Sequence, residues 1–453
     1  MQRPRLSERV IARRQVRDGQ LLVALHDPSG RTIHVVGARE WMVLACADGT
    51  RDLEGIAAAA ARLGVEASEA TIAAFFATLG ELGWLVDGPP TDLLAGRASS
   101  LHRTPSDRPV VAMPGVRVRC EGEGGCCRAY ASIVFMPEDV HAAAFAVPAI
   151  EIGESATTFL PVHGSAPTVV RAVGLVDGAC AYLDADGRCS IHARVGFASK
   201  PLGCRWYPAR VRDDGTELRV APAIECLCVA RPHPDGDALV PEGVRSAGDL
   251  PVGLSVETVP ERVVIAGERR IDRAQACAFA DEIASAAAPV DAIARLWTLA
   301  SALERGEVDP GEREPMPAAV LADACARWAR AASERRAAES VWRSAADPVC
   351  VRLQTLAQAA ALLSSPTAAA AVLATTPDDA ELEAYVVRAG TWGRLWLGEV
   401  PLVDVLRDHA VALALARAIA AIVPADADGT LRGAPLAAVL ALRRTCLGGE
   451  VSR

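Results

Sequence analysis

The alternation of apolar and polar positions divides the chain into regions with different rhythms. Residues 21–26 and 32–36 are short β-prone runs flanking Asp27-Pro28-Ser29-Gly30, a turn sequence. Helical spacing follows over 38–47. A second helix is expected from Asp52, with Leu53, Ile56, Ala60 and Leu63 on one face and Gly64 as its stop. A third is expected from Ser68, an N-cap residue, to Leu82, with Ile72, Phe75, Phe76 and Leu79 in register. Gly83-Trp84-Leu85-Val86 reads as a closing strand, the wing of a winged-helix unit over residues 1–92.

Beyond this unit the rhythm is lost. Residues 91–114 carry Pro, Ser, Gly and Arg without periodicity and read as a linker; 232–250 read as a further loop. Between them lies an irregular, cysteine-rich segment, 115–235. Residues 254–259 and 262–266 have the pattern of a β-hairpin. From about Ile271 the period is helical, with Ala-rich amphipathic stretches broken at Pro310, Pro315, Pro348, Pro366, Pro377 and Pro424. The expected fold class is α+β in three parts: a winged helix at 1–92, an irregular cysteine-rich domain at 115–235, and an all-α domain at 270–453. No internal repeat or low-complexity tail is visible.

Composition adds constraints. A chain of 453 residues with 51% hydrophobic and 23% charged residues can bury a large core without disulfides. The formal net charge of −9 argues against nucleic acid as the main partner. The cations are nearly all arginine, with Lys200 the single lysine, which fits the coding bias of a GC-rich genome. Residues 1–17 are polar and basic, without the apolar core of a secretory signal. The apolar stretch 405–423 is interrupted by Arg407, Asp408 and Arg417, so no membrane span is expected. The expected compartment is the cytoplasm, where thiols stay reduced.

That compartment gives the cysteines their meaning. Eight of the 13 fall between Cys120 and Cys228: Cys120, Cys126, Cys127, Cys180, Cys189, Cys204, Cys226 and Cys228. Clustered reduced thiols point to a metal, because as thiolates they repel unless a cation neutralises them. Each local sequence is a device for bringing sulfurs together. Glycines 122, 124 and 125 let the chain curl before Cys126-Cys127. Cys180 to Cys189 reads as a hairpin with an Asp186-Gly187 turn. Cys226-Leu227-Cys228 would place two thiols on one face of an extended strand, whereas adjacent Cys126 and Cys127 would point to opposite sides of one. Eight thiols can fill two four-Cys sites or hold one iron–sulfur cluster with some to spare, so the metal is zinc or iron, the latter as an ion or as a cluster. Glu123 and His192 are additional donors to consider. Cys46, Cys277, Cys325, Cys350 and Cys446 stand singly in apolar surroundings and read as buried hydrophobes. No Gly-rich strand–loop–helix signature, no Cys-x-x-x-Cys-x-x-Cys triplet and no Ser/His/Asp arrangement is found. Arg128, Arg205 and Arg210 lie close in sequence to the cysteines, where cations can stabilise thiolates or an anionic substrate. Glu334-Arg335-Arg336 reads as a solvated helix face.

Three resemblances sharpen this picture. Pro4-Arg5-Leu6, then Asp48-Gly49-Thr50-Arg51 with Leu53 and Ile56, then Leu79-Gly80-Glu81-Leu82-Gly83-Trp84-Leu85, resemble the PqqD family, small domains that recognise precursor peptides in ribosomal peptide maturation. The likeness covers most of the first ninety residues or so and implies a peptide or protein partner held as an added strand. The run Cys120…Cys126-Cys127-Arg128, Cys180-x-Tyr-Leu…Gly187-x-Cys189-x-Ile191-His192 and Lys200-Pro201-x-x-Cys204-Arg205-x-Tyr207-Pro208 resembles the YkgJ-type cysteine-cluster family of zinc- or iron-chelating proteins. Here Glu123 stands where that family usually has a second Cys. The same cluster followed by helices is similar to flagellin lysine N-methylase, which implies a protein-modifying, methylase-like activity. The residues alone leave two readings open: a metal-dependent peptide- or protein-modification or maturation factor, and a non-enzymatic metal-binding or adaptor protein with a structural metal.

Overall fold

The computed structural model describes residues 2–7, 9–17, 20–27, 33–88, 104–120, 125–129, 133–143, 151–152, 155–156, 159–161, 171–230, 233–285, 291–307, 313–340, 343–375, 380–422 and 439–440. It is a mixed α+β structure with a helical C-terminal region. The chain forms two compact units. Unit 1 comprises residues 1–98, 122–205 and 338–344; unit 2 comprises 99–121, 206–337 and 345–453. The unit boundaries therefore fall inside the cysteine-rich segment.

Unit 1 opens with strands β1 (Pro4–Leu6), β2 (Ile11–Arg17), β3 (Gln20–His26) and β4 (Ile33–Gly37). Helices α1 (Ala38–Ala45), α2 (Leu53–Ala61) and α3 (Glu69–Glu81) follow, and β5 (Leu85–Asp87) closes antiparallel on β1. The expected helix starts are present. Asp52 accepts from Gly55 N at 2.9 Å and Ser68 from Thr71 N at 3.2 Å, satisfying helix-end donors. Asp48 accepts from Thr50 N and Oγ1 at 2.9 and 2.6 Å and from Arg51 Nη1 at 2.6 Å. Burial opposes its ionisation, but these donors outweigh it and hold the carboxyl below its usual range. Gly49 N donates to Pro4 O at 3.1 Å, so the Asp48–Arg51 turn fastens the α1–α2 connection to β1. The helices bury Trp41, Leu44, Ile56, Ile72 and Leu79 against Val23 and Leu25 of β3. The expected turn at residues 28–30 lies outside the described residues.

Strand β2 does not have the pattern of a strand, because Arg13, Arg14 and Gln15 are all buried. Each is partnered from elsewhere in the unit. Arg13 Nη1 meets Glu339 Oε2 at 2.6 Å, with both side chains fully buried. Arg14 lies over Trp41, 4.8 Å from the ring centroid, and burial lowers its pKa to about 10. Gln15 Oε1 accepts from Gly178 N at 3.2 Å. Glu339 also accepts from Arg343 Nε at 2.7 Å, so one carboxylate sits between two guanidinium groups. The expected solvated face at 334–336 is thus only partly exposed: Glu334 is exposed, whereas Arg335 is buried.

Two departures from expectation concern unit 2. Part of the expected linker is a strand: Val110–Ala112 pairs in parallel with Leu218–Pro222, in a four-stranded sheet completed by Ala209–Asp213 and Val256–Thr258. Residues 254–259 and 262–266 do not form a hairpin. Val256–Thr258 joins that sheet, and Arg262–Ala266 pairs instead with Arg269–Asp272. The alternation indicated strands without fixing their partners. The helices run from Arg273 to Ile422 and bury Leu296, Trp328, Leu353 and Leu406. Arg394 anchors the C-terminal helices by a bidentate contact with Asp281 at 2.9 and 2.7 Å. Among the described residues no single helix is long and apolar enough to cross a membrane.

Candidate metal centre

Five of the eight cysteines converge in unit 1: Cys126, Cys127, Cys180, Cys189 and Cys204. They are carried by α4 (Gly125–Ala129), by a hairpin of β6 (Leu175–Val176) and β7 (Ala179–Cys180), by the turn before α6 (Ser190–Val195), and by α7 (Leu202–Trp206). Strand β6 pairs in parallel with β2, placing Leu175 beside Gln15, and β7 pairs Cys180 with Leu175. The sheet order is β7-β6-β2-β3-β4, so a cysteine strand extends the N-terminal sheet. Gly178 turns the hairpin at φ +77, a left-handed conformation that glycine adopts freely.

The expected turn between Cys180 and Cys189 is present. Asp184 Oδ1 accepts from Arg188 N at 2.7 Å and Asp186 N at 3.1 Å, and Leu183 bridges Cys189. Cys189 occupies the N-cap position of α6. A short helix, α5 (Pro137–Ala143), presents Asp139, whose Oδ2 accepts from Met136 N at 3.0 Å and Leu202 N at 3.4 Å. One buried carboxylate thus ties together the starts of α5 and of the cysteine-bearing α7. Sequence reasoning missed this role, because Asp139 looks like an ordinary helix-start acid.

Cys127, Cys180, Cys189 and Cys204 line one small core with Phe135, Phe159, Tyr182 and Ile191. Cys126 and Cys127 share a helix rather than an extended chain, and their sulfurs are 3.8 Å apart. They therefore do not point to opposite sides. Two thiolates bound to one tetrahedral zinc at ~2.3 Å stand roughly 3.8 Å apart. The electrostatics link all five. The hydrogen bond with Cys126, then burial, then the neighbouring Cys180 and Cys204 raise the Cys127 thiol. Burial and then Cys204, Cys189 and Cys126 raise Cys180. Burial, then Cys126, push Cys204 up to about 12, while Lys200 acts in the opposite sense. Burial, followed by Cys180 and Cys189, also raises Tyr182. Among the described residues, however, no three His, Cys, Asp or Glu side chains are already arranged as a ligand set.

Cys120, Cys226 and Cys228 belong to unit 2. Cys120 is exposed, two residues beyond the strand Arg117–Val118. Cys226 and Cys228 are not on an extended strand. Cys226 N donates to Ala223 O at 2.8 Å, and Cys228 lies in the 3₁₀ turn Leu227–Ala230, its carbonyl 2.8 Å from His233 Nε2. His192 is exposed and packs edge-on against Phe197. Glu123 and Cys446 lie outside the described residues. Cys46, Cys277, Cys325 and Cys350 are buried, as the sequence suggested. Arg205 Nη1 donates to Ala198 O at 3.1 Å, and Arg210 pairs with Glu257 at 2.5 Å in unit 2. The Arg128 carbonyl, next to Cys127, accepts from Arg343 Nη2. Neither a family model, a curated protein nor a solved structure matches the chain.

Proposed function

We propose that this protein binds zinc or iron through the thiols of unit 1 and serves as a metal-dependent peptide- or protein-modification or maturation factor. The observation that carries this reading is the convergence of Cys127, Cys180, Cys189 and Cys204 on one small core, with the Cys126 sulfur 3.8 Å from that of Cys127 and raised thiols at Cys127, Cys180 and Cys204. The raised thiols of Cys127, Cys180 and Cys204 hold protons that a divalent cation can displace. An all-sulfur set of this kind suits zinc or iron better than magnesium or calcium, which take oxygen. The peptide would dock on the N-terminal unit. Strand β4 is the last strand of its sheet, and Val35 on it is 48% exposed, which leaves an edge for β-addition. The PqqD-like, YkgJ-like and methylase-like features of the sequence point the same way.

A second reading is a closed structural metal in an adaptor protein. The burial of Cys180 favours it, because a closed four-thiolate site leaves no position for substrate.

Titrating zinc into the metal-free protein in weak buffer at neutral pH tests metal binding. The expected result is release of about one proton per thiol engaged. Zinc uptake without proton release, or no uptake, would count against a thiol centre. Substituting cobalt and adding an exogenous anion then separates the two readings. A shifted cobalt spectrum marks an open position, and an unchanged one marks a closed structural site.

A further inference from the structure

We propose that the surface formed by α6, the 3₁₀ turn Phe197–Ser199 and α7 is a docking face for an acidic peptide segment, an inference that rests on the peptide-modification reading above. From Gly187 to Arg212 the sequence contains no Asp or Glu, in a chain whose net charge is −9. The part of this run in unit 1 carries Arg188, His192, Arg194, Lys200 and Arg205. Arg188, His192 and Arg194 are exposed, and Lys200 and Arg205 are half-buried. Among the described residues, Asp139 reaches this region but is spent on backbone donors at Met136 and Leu202 and is itself buried. The run from Gly187 to Arg205 is thus positive in sequence, against the chain's overall sign.

Its centre is aromatic. Phe197 is 51% exposed, yet it is held in place. The His192 ring meets it edge-on at 5.7 Å, and Lys200 Nζ lies 5.5 Å from its centroid. Gly196, at φ +104, makes the bend between α6 and the turn in a conformation closed to other residues. An exposed aromatic fixed between an imidazole and an ammonium group loses little freedom on binding, which is what a contact anchor needs. Lys200, the single lysine among 47 Lys and Arg residues, adds a compact ammonium with three rotatable donors, where every other cation is a planar guanidinium. Carboxylates on a peptide complement this arrangement, and an apolar side chain on the same peptide would meet Phe197. The overall negative charge disfavours extended polyanions such as a nucleic-acid duplex or an anionic bilayer. Cys189 immediately precedes α6 and Cys204 lies within α7, so a segment docked here sits beside the thiol centre.

The test uses the full chain and a fluorescein-labelled peptide with one phenylalanine between two runs of glutamate, read by fluorescence anisotropy. The glutamate peptide should bind about tenfold more tightly than its glutamine counterpart, with affinity falling as salt rises. Arg188→Glu with Arg194→Glu should weaken it by about tenfold. Phe197→Ala should weaken it measurably at every salt concentration. Zero-length carbodiimide crosslinking should join the peptide to Lys200. Equal binding of the glutamine peptide, unchanged affinity in the double charge reversal, or tighter binding of a DNA duplex or anionic vesicles would overturn the proposal. Metal content is measured on the same preparations. Metal-loaded protein that ignores the acidic peptide overturns the docking face alone. Metal-free protein that binds it as described supports the docking face and overturns only the thiol-centre reading.

Discussion

Replacing Glu339 by Gln is expected to destabilise unit 1 by about 3–5 kcal/mol. Glu339, Arg13 and Arg343 have no solvent-exposed side-chain surface, and the carboxylate lies 2.6 and 2.7 Å from the two guanidinium groups. An arginine cannot shed its proton to escape burial. Glutamine keeps the shape and one acceptor but removes the charge, so two buried guanidinium groups lose the carboxylate they share. Gly178→Ala should act on the same group. Its Cβ would stand 2.6 Å from Arg343 Cζ, at a φ of +77 that alanine tolerates poorly. Replacing all three charged residues by apolar ones of similar volume (Arg13→Met, Glu339→Leu, Arg343→Met) should cost less than Glu339→Gln alone. Urea unfolding followed by hydrogen exchange over β2 and β3 measures each variant. A loss below about 1 kcal/mol for Glu339→Gln would mean that the ion group is not what holds β2 in the sheet.

The second large effect concerns the metal. Cys127→Ser and Cys204→Ser should each lower zinc affinity by more than about a hundredfold, because losing a ligand outweighs the 10–100-fold typical of losing a residue that only supports one. A serine hydroxyl is a harder, more weakly bound donor than a thiolate. Cys226→Ser and Cys228→Ser, in unit 2, should retain the metal, since the proposed ligands come from unit 1. Competition against a coloured chelator gives the affinities. Metal loss in Cys226→Ser with retention in Cys204→Ser would reverse the assignment.

The ease of reading the sequence varied with how local the determining interactions are. Helices α2 and α3 were legible because their caps, Asp52 and Ser68, lie next to the residues they serve. The turn before Cys189 was legible for the same reason. Strand β2 was not. Its run of Arg13, Arg14 and Gln15 resembles solvent-facing chain until Glu339, Trp41 and Gly178 are seen to meet it. The strand within the expected linker was hidden similarly, because its partner, Leu218–Pro222, is about a hundred residues away. At the candidate centre the sequence identified the cysteines and not their grouping. Nothing near Cys226 or Cys228 indicates that they fold with unit 2, whereas Cys180 joins unit 1 through the pairing of Leu175 with Gln15. Contact between distant segments, which spacing does not encode, divides the eight.

The most direct test of the thiol centre is metal and acid-labile sulfide analysis of anaerobically purified protein, with its visible spectrum. The predicted result is bound metal: zinc with no visible absorbance, or iron, brown and with sulfide if it forms a cluster. Metal-free protein in which all 13 cysteines titrate as free thiols would contradict the account.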